Sequence, residues 1–208
     1  MSLNNLKVFG LIPARGGSKG IRKKNIIELA SKPLIQYTID ACFKAKKLSK
    51  FIVSTDEEEI AKISAKLGAE IPFMRPKILS NDKSSSFSVV KHAAEYFLDK
   101  DLKYDAYMLL QPTTPFRTSN LIDKSIDFLQ NNSNASSVVS LVNVGANHPY
   151  RMYSLDKESK MEPLIKGDFD PMEPRQNLPE FYIRSGDIYL TTFDSLFKEN
   201  SLIGSNPI

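Results

Sequence analysis

With one cysteine and two histidines in 208 residues, the chain has little material for several kinds of chemistry. Cys42 alone cannot close an intramolecular disulfide, so a reduced, cytoplasmic setting is the expectation. It stands among apolar residues at helical spacing and reads as a small buried hydrophobe. His92 lies in an apolar helical stretch, where packing is its expected role. His148 precedes Pro149 with no cysteine or second histidine beside it, so the two histidines suggest neither a metal centre nor a catalytic pair. No apolar run approaches the roughly 20 residues that a membrane helix needs. Met1 to Asn5 is polar and lacks a signal-peptide core. No membrane association is therefore expected. Internal repeats and low-complexity tracts are also missing.

Charge of one sign is scarce as well. The 28 basic and 24 acidic residues leave a net charge of only +4. A nucleic-acid binder usually shows a broad basic surface with aromatic residues for stacking. Here Arg15, Lys19, Arg22, Lys23 and Lys24 are packed into one short segment instead. A local basic loop suits a small anion such as a triphosphate, and no nucleic-acid partner is expected. Hydrophobic residues at 41% and charged residues at 25% are ordinary for a soluble globular chain. The length allows one α/β domain with a sizeable core.

Val8 to Pro13 reads as a buried strand, followed by a Gly- and Lys-rich loop from Ala14 to Asn25. Pro33 suits a helix start, and Leu34, Ile35, Tyr37, Thr38, Ile39 and Cys42 give an apolar face at helical spacing. Phe51 to Thr55 is a second strand. Asp56 is expected to cap the next helix, whose first turn carries Glu57, Glu58 and Glu59, and Gly68 to close it. Glu70 to Met74 reads as a third strand. A helix begins at Ser84 to Ser86, a strand spans Ala106 to Leu110, a helix Asn120 to Asn131, and a strand Ser137 to Val142. This alternation predicts an α/β fold with a mainly parallel sheet and helices on both faces. Asn143 to Glu180 breaks the rhythm with five prolines and short extended stretches such as Arg151 to Leu155. Long irregular insertions are usually functional, as a lid or a dimerisation arm. Strand character returns at Phe181 to Ile183 and Ile188 to Thr191, around Ser185-Gly186, before a helix over Phe193 to Glu199.

The segment Leu11-Ile-Pro-Ala-Arg-Gly-Gly-Ser-Lys-Gly-Ile-Arg-Lys-Lys-Asn25 follows the first strand, where α/β sheets bind ligands beyond the carboxyl strand ends. Gly16 and Gly17 allow a close backbone approach. Their N–H groups, with that of Ser18, are expected to form an anion nest, while Arg15 and Lys19 neutralise a pyrophosphate leaving group. Neither a P-loop nor the dinucleotide fingerprint G-x-G-x-x-G is present. A flexible, solvated basic loop is the alternative reading.

Other blocks accompany this loop in order. They are Pro33-Leu-Ile35, Ser54-Thr-Asp56, Arg75-Pro76, Leu79-Ser80, Asp82, Ser84-Ser-Ser86 and Leu110-Gln-Pro-Thr-Thr-Pro-Phe-Arg117. After the insertion come Arg175-Gln176, Leu178-Pro179, Tyr182 and Gly186-Asp-Ile-Tyr189. Together with Ile12 to Gly20 and Lys24-Asn25, they resemble the acylneuraminate cytidylyltransferases over Val8 to Ser201. The resemblance implies a three-layer, Rossmann-like nucleotidyltransferase fold. It implies a single domain over 1–208 with a homodimerisation insertion at about 143–180. It implies transfer of CMP from CTP to the anomeric hydroxyl of an acidic 2-keto sugar, with Mg²⁺ as cofactor.

By the motif match, Arg15, Lys19 and Lys24 hold the triphosphate, with Ala14, Gly16, Gly17 and Ser18 in the loop. Asn25 supports that loop or contacts the ribose. Arg75, Ser84, Ser85 and Ser86 contact the cytidine, although the serines also suit helix capping. Gln111, Thr113, Arg175 and Tyr182 face the sugar. Sialic, legionaminic and pseudaminic acids are all plausible acceptors. A KDO cytidylyltransferase and a non-catalytic nucleotide-binding module are the competing readings. Ser31 stands where the resemblance implies a glycine. The aspartate pair that binds metal near the family's C-terminus is not identifiable before Ile208. The metal ligands are thus unassigned, with Asp187 the one nearby substitute, and the 208-residue chain is expected to bind CTP but turn over poorly.

Overall fold

A computed structural model of the chain describes residues 6–18, 20–167 and 172–208. It contains two compact units, one running to Ser140 and resuming at Gly186, the other covering Leu141–Ser185. In chain order the strands and helices are β1 (Val8–Pro13), β2 (Glu28–Leu29), β3 (Lys32–Pro33), α1 (Leu34–Lys44), β4 (Lys50–Ser54) and α2 (Glu58–Lys66). Then follow α3 (Ser86–Leu98), β5 (Ala106–Leu109), α4 (Ser119–Asn131) and β6 (Ser137–Asn143). The last are β7 (Tyr153–Leu155), β8 (Met161–Pro163), β9 (Tyr182–Thr192) and α5 (Phe193–Phe197).

The first unit is built on a sheet of order β4-β1-β5-β9-β6. β1 pairs in parallel with both β4 and β5, whereas β5 and β9 are antiparallel. Thr192 N–H donates to Ser136 O at 3.0 Å and Ile188 N–H to Ser140 Oγ at 2.8 Å, so β6 also opposes β9. Four strands therefore share one direction and β9 reverses it.

The period-two alternation of strands sorts their side chains to two faces. Val8 and Ile12 of β1 join Ile35 and Ile39 of α1 and Ile122 and Ile126 of α4 in one core. Phe9 and Leu11 point the other way, to Val90, Ala94 and Phe97 of α3 and Leu196 of α5. Two helical layers thus sandwich one sheet. Each fully buried Ile or Leu contributes about 1.5–3 kcal/mol. Cys42 belongs to the first core, where burial pushes its thiol up to about 12. His92 packs edge-on to Phe73 at 4.9 Å between centroids, as its apolar neighbours suggested.

Several sequence expectations need correction. Glu70 to Met74 is no strand; isolated bridges join Ile52 to Glu70 and Thr55 to Met74. Pro72 lies between them and has no N–H for a continuous ladder. Asp56 does not cap α2, whose N-cap residue is Glu57. Glu57 N–H goes instead to Thr55 Oγ1 at 3.1 Å, and Asp56 Oδ1 accepts from Gly16 N–H at 3.1 Å. The two strand fragments around Gly186 are one strand, β9, which passes Gly186 at a φ of 85°. Between β2 and β3, Ala30 and Ser31 both take positive φ, 48° and 65°, as a two-residue hairpin loop demands.

The second unit contains the antiparallel ribbon of β7 and β8. A small aromatic cluster packs the His148 ring against Tyr150 and Phe181, at 5.2 and 5.1 Å. His148 Nε2 lies 2.9 Å from Pro179 O, and Nδ1 accepts from Tyr150 N–H at 3.2 Å. These partners require the neutral ring protonated on Nε2. The expected insertion at 143–180 falls within this unit.

Candidate functional site

β1 and β5 end side by side, and the chain leaving each of them forms one rim of a cleft of about 290 Å³. Arg15, Ser18, Lys24 and Asn25 come from the loop after β1. Gln111 and Thr113 come from the segment after β5. Arg75, Ser84 and Ser86 close a third side, with the N-terminal end of α3 opening there. The apolar side chains of Leu79 and Val89, with Pro13 and Pro112, complete the wall. A helix N-terminus and converging cations favour an anion.

Side-chain contacts hold the loop after β1. Asn25, only 5% exposed, donates through Nδ2 to Arg15 O at 2.9 Å. Arg15 Nη2 pairs with Asp82 Oδ1 at 2.9 Å, and Lys23 Nζ with Glu59 Oε2 at 2.5 Å. Gly16 has little alternative at its position, because a Cβ there would come within 2.9 Å of Glu57 Cβ. Gly17 faces open space. The expected nest of three N–H groups is not open: Gly16 N–H is taken by Asp56, and Ser18 N–H donates to Gly16 O at 2.9 Å. Gly16, Gly17 and Ser18 line a neighbouring pocket of about 240 Å³ with Arg22 and Lys23. Lys19 lies outside the described residues.

Arg75 is not an exposed strand-end charge. It is 5% exposed, with Nη2 donating to Ser54 O at 2.7 Å and Nε without a partner. Burial pushes its guanidinium down to about 10; the Asp56 carboxylate opposes that shift and Arg15 adds to it. A buried donor left unpaired costs about 1–3 kcal/mol, and an acceptor arriving in the cleft would recover it.

The remaining expected residues are placed differently. Ala14 is fully buried, its N–H donating to Ser54 O at 2.9 Å, so it shapes the loop from below. Ser85 is the N-cap of α3, its Oγ accepting from Ser88 N–H at 3.1 Å, and it does not line the cleft. Ser84 lines the cleft and donates to Ile78 O at 3.0 Å. Arg175 lines a pocket of about 320 Å³ in the second unit, with Asn143, His148 and Glu180. Tyr182, in the same unit, is exposed and donates to Glu180 Oε2 at 2.5 Å, which holds its phenol above the ordinary range.

Sequence reasoning gave Asp56 only a capping role, and no individual role to Asp82 or Arg117. Asp82 faces Arg15 across 67 positions of chain, and no local pattern signals such a pair. Among the described residues no group of three or more His, Cys, Asp or Glu side chains could hold a metal ion. Asp82 and Asp56 are engaged by Arg15 and Gly16. Mg²⁺ is usually held by one or two carboxylates together with substrate phosphates, so the ligands of the ion that the resemblance implies stay unassigned among the described residues. None of their helices is long and apolar enough to cross a membrane.

A protein-family model described as cytidylyltransferase matches residues 9–189. An N-acylneuraminate cytidylyltransferase of Escherichia coli is 42% identical over 65% of the chain, a match that covers 31% of that protein. The chain thus spans under a third of that relative's length. A CMP-N,N′-diacetyllegionaminic acid synthase of Legionella pneumophila is 32% identical over 94% of the chain and 82% of its own length. A solved CMP:2-keto-3-deoxy-manno-octonic acid synthetase complexed with CTP superposes with a TM-score of 0.66. That match covers 96% of the chain and 79% of the other protein at 17% identity, a likeness of fold.

Proposed function

The chain belongs to the cytidylyltransferase family, and on that premise we propose that it transfers CMP from CTP to the anomeric hydroxyl of an acidic nine-carbon 2-keto sugar. The observation that carries this reading is the convergence of Arg15, Lys24 and Arg75 with Gln111 and Thr113 in one cleft at the carboxyl ends of β1 and β5. The relatives named for N-acylneuraminate and diacetyllegionaminate support a nonulosonate acceptor.

In the reaction the sugar oxygen forms a bond to the α-phosphorus. The bond from that phosphorus to the bridging oxygen of the β-phosphate breaks, pyrophosphate departs and the hydroxyl proton is released. Such a displacement needs positioning and charge neutralisation more than a covalent nucleophile. Arg15 and Lys24 neutralise the triphosphate, and Asn25 fixes the loop that presents them. The free Nε of Arg75 and the serines at Ser84 and Ser86 receive the cytidine, its base resting against Leu79 and Val89. Gln111 and Thr113 receive the sugar hydroxyls. The motif match also assigns Arg175 to the sugar carboxylate and Tyr182 to a sugar contact. The protein acts in the cytoplasm as a homodimer built partly through about residues 143–180.

The test is pyrophosphate release with CTP across a panel of N-acylneuraminic, legionaminic, pseudaminic and KDO acids. The reading requires release with at least one nine-carbon acid. Release with KDO alone, or with none, overturns it.

A further inference from the structure

Arg117 is 4% exposed, and burial pushes its guanidinium down to about 10. A charge so placed survives only if its donors are satisfied. Nε donates to Asp187 O of β9 at 2.6 Å and Nη1 to Thr38 Oγ1 of α1 at 3.1 Å. Nη2 donates to Gln111 O at 2.9 Å and also to Thr114 Oγ1. Thr114 Oγ1 in turn donates to Gln111 O at 3.0 Å. One planar fork therefore joins a helix, a strand and the segment that carries Gln111 and Thr113 into the cleft. Gly186 belongs to the same arrangement: a Cβ there would stand 3.8 Å from Gln111 Oε1 and 3.6 Å from Thr114 Cγ2.

We propose that Arg117 is the positioning residue of the acceptor wall, its guanidinium fixing the Gln111–Thr114 segment so that Gln111 and Thr113 face the sugar. The assignment of that wall to the sugar rests on the functional reading above. Arg117 itself does not line the cleft. The nucleotide side owes it nothing directly, because the side chains of Arg15, Asn25 and Arg75 reach Asp82, Arg15 O and Ser54 O instead. A lysine preserves the charge but cannot reproduce a planar fork that serves four acceptors on three elements.

Steady-state kinetics with CTP and the nine-carbon acid of the panel that gives the fastest pyrophosphate release separate this role from a merely structural one. Arg117→Lys raises the KM for the sugar by about 10-fold or more, the scale of one or two lost buried hydrogen bonds, while the KM for CTP stays within about 3-fold. Combining it with Gln111→Ala adds little beyond either change alone, because both act through one group. Thr38→Val, which removes a single acceptor of the fork, gives a smaller shift of the same kind should the lysine variant fold poorly. Equal rises in both KM values, an unchanged sugar KM, or additive losses overturn the proposal. Amide exchange provides a readout that needs no turnover: Thr113 and Thr114 exchange about 10-fold faster in Arg117→Lys while β1 is unchanged. Wild-type protein that releases no pyrophosphate removes the functional reading, and the exchange result then decides the positioning role, unchanged protection overturning it.

Discussion

Arg15, Lys24 and Arg75 lie far apart in sequence yet share a cleft, and their charges are what a triphosphate would meet first. Removing one contact to charge that develops in a transition state costs about 100-fold or more in rate. Arg15→Ala and Lys24→Ala are therefore each expected to lower turnover by about that factor without moving the thermal midpoint. Both side chains are partly exposed and absent from the core, so a large loss of stability would contradict the assignment. His92 gives a second expectation. Burial pushes its imidazole below the ordinary 6.5, with Glu95 opposing and Arg75 adding to the shift. The unfolded chain binds that proton more readily, so the stabilising share of the neutral ring is full above 6.5 and fades as pH falls through the lower folded value. Melting curves at pH 7 and pH 5 should show a larger loss for wild type than for His92→Phe, and parallel losses would show that His92 does not couple. Single residues were the least legible part of the sequence. Arg15 and Lys24 were singled out by a dense local motif. Arg117 was visible as a letter in a block, but its partners Thr38 and Asp187 lie 79 and 70 positions away.

Elements were read more faithfully where burial and period agreed. β1, α1, α3 and α4 each carry an unbroken apolar pattern, and each forms close to where that pattern places it. Glu70 to Met74 failed because a short apolar stretch around a proline carries no period. The residues between the loop ending at Asn25 and Pro33 were given no element, yet they form most of the β2–β3 hairpin. Nothing in Ala30-Ser31 announces such a turn, which favours glycine or asparagine. Side chains held at positive φ cost roughly 1–2 kcal/mol each. Ser31→Gly, the residue that the family resemblance implies there, should stabilise the protein by about 1 kcal/mol. For a chain of this size that is a rise of about 2–4 °C in Tm. No rise in calorimetry would mean that Ser31 is held in place by something other than the turn.

At the scale of the molecule, a cleft opens at the carboxyl ends of β1 and β5, where the sequence places the candidate site, because parallel strands with alternating helices leave their open crevice there. The second unit was legible only as a break in rhythm. Its ribbon and the residue after it expose Leu155, Met161 and Leu164, each more than 60% accessible, on a structure too small to bury them itself. Apolar exposure of that kind is usually covered by a partner. Light scattering at micromolar concentration should give the mass of two chains for wild type and of one for Leu155→Glu with Met161→Glu. A wild-type monomer would remove the dimer from the proposal.

The central claim is that the cleft between the ends of β1 and β5 is a CTP site. Isothermal titration of the protein with CTP, ATP and GTP addresses it without any need for turnover. The expected result is saturable CTP binding at least about 10-fold tighter than either purine nucleotide, a difference of about 1.4 kcal/mol, and lost on Arg75→Ala. Equal affinity for CTP and ATP, or CTP binding that survives Arg75→Ala unchanged, would contradict it.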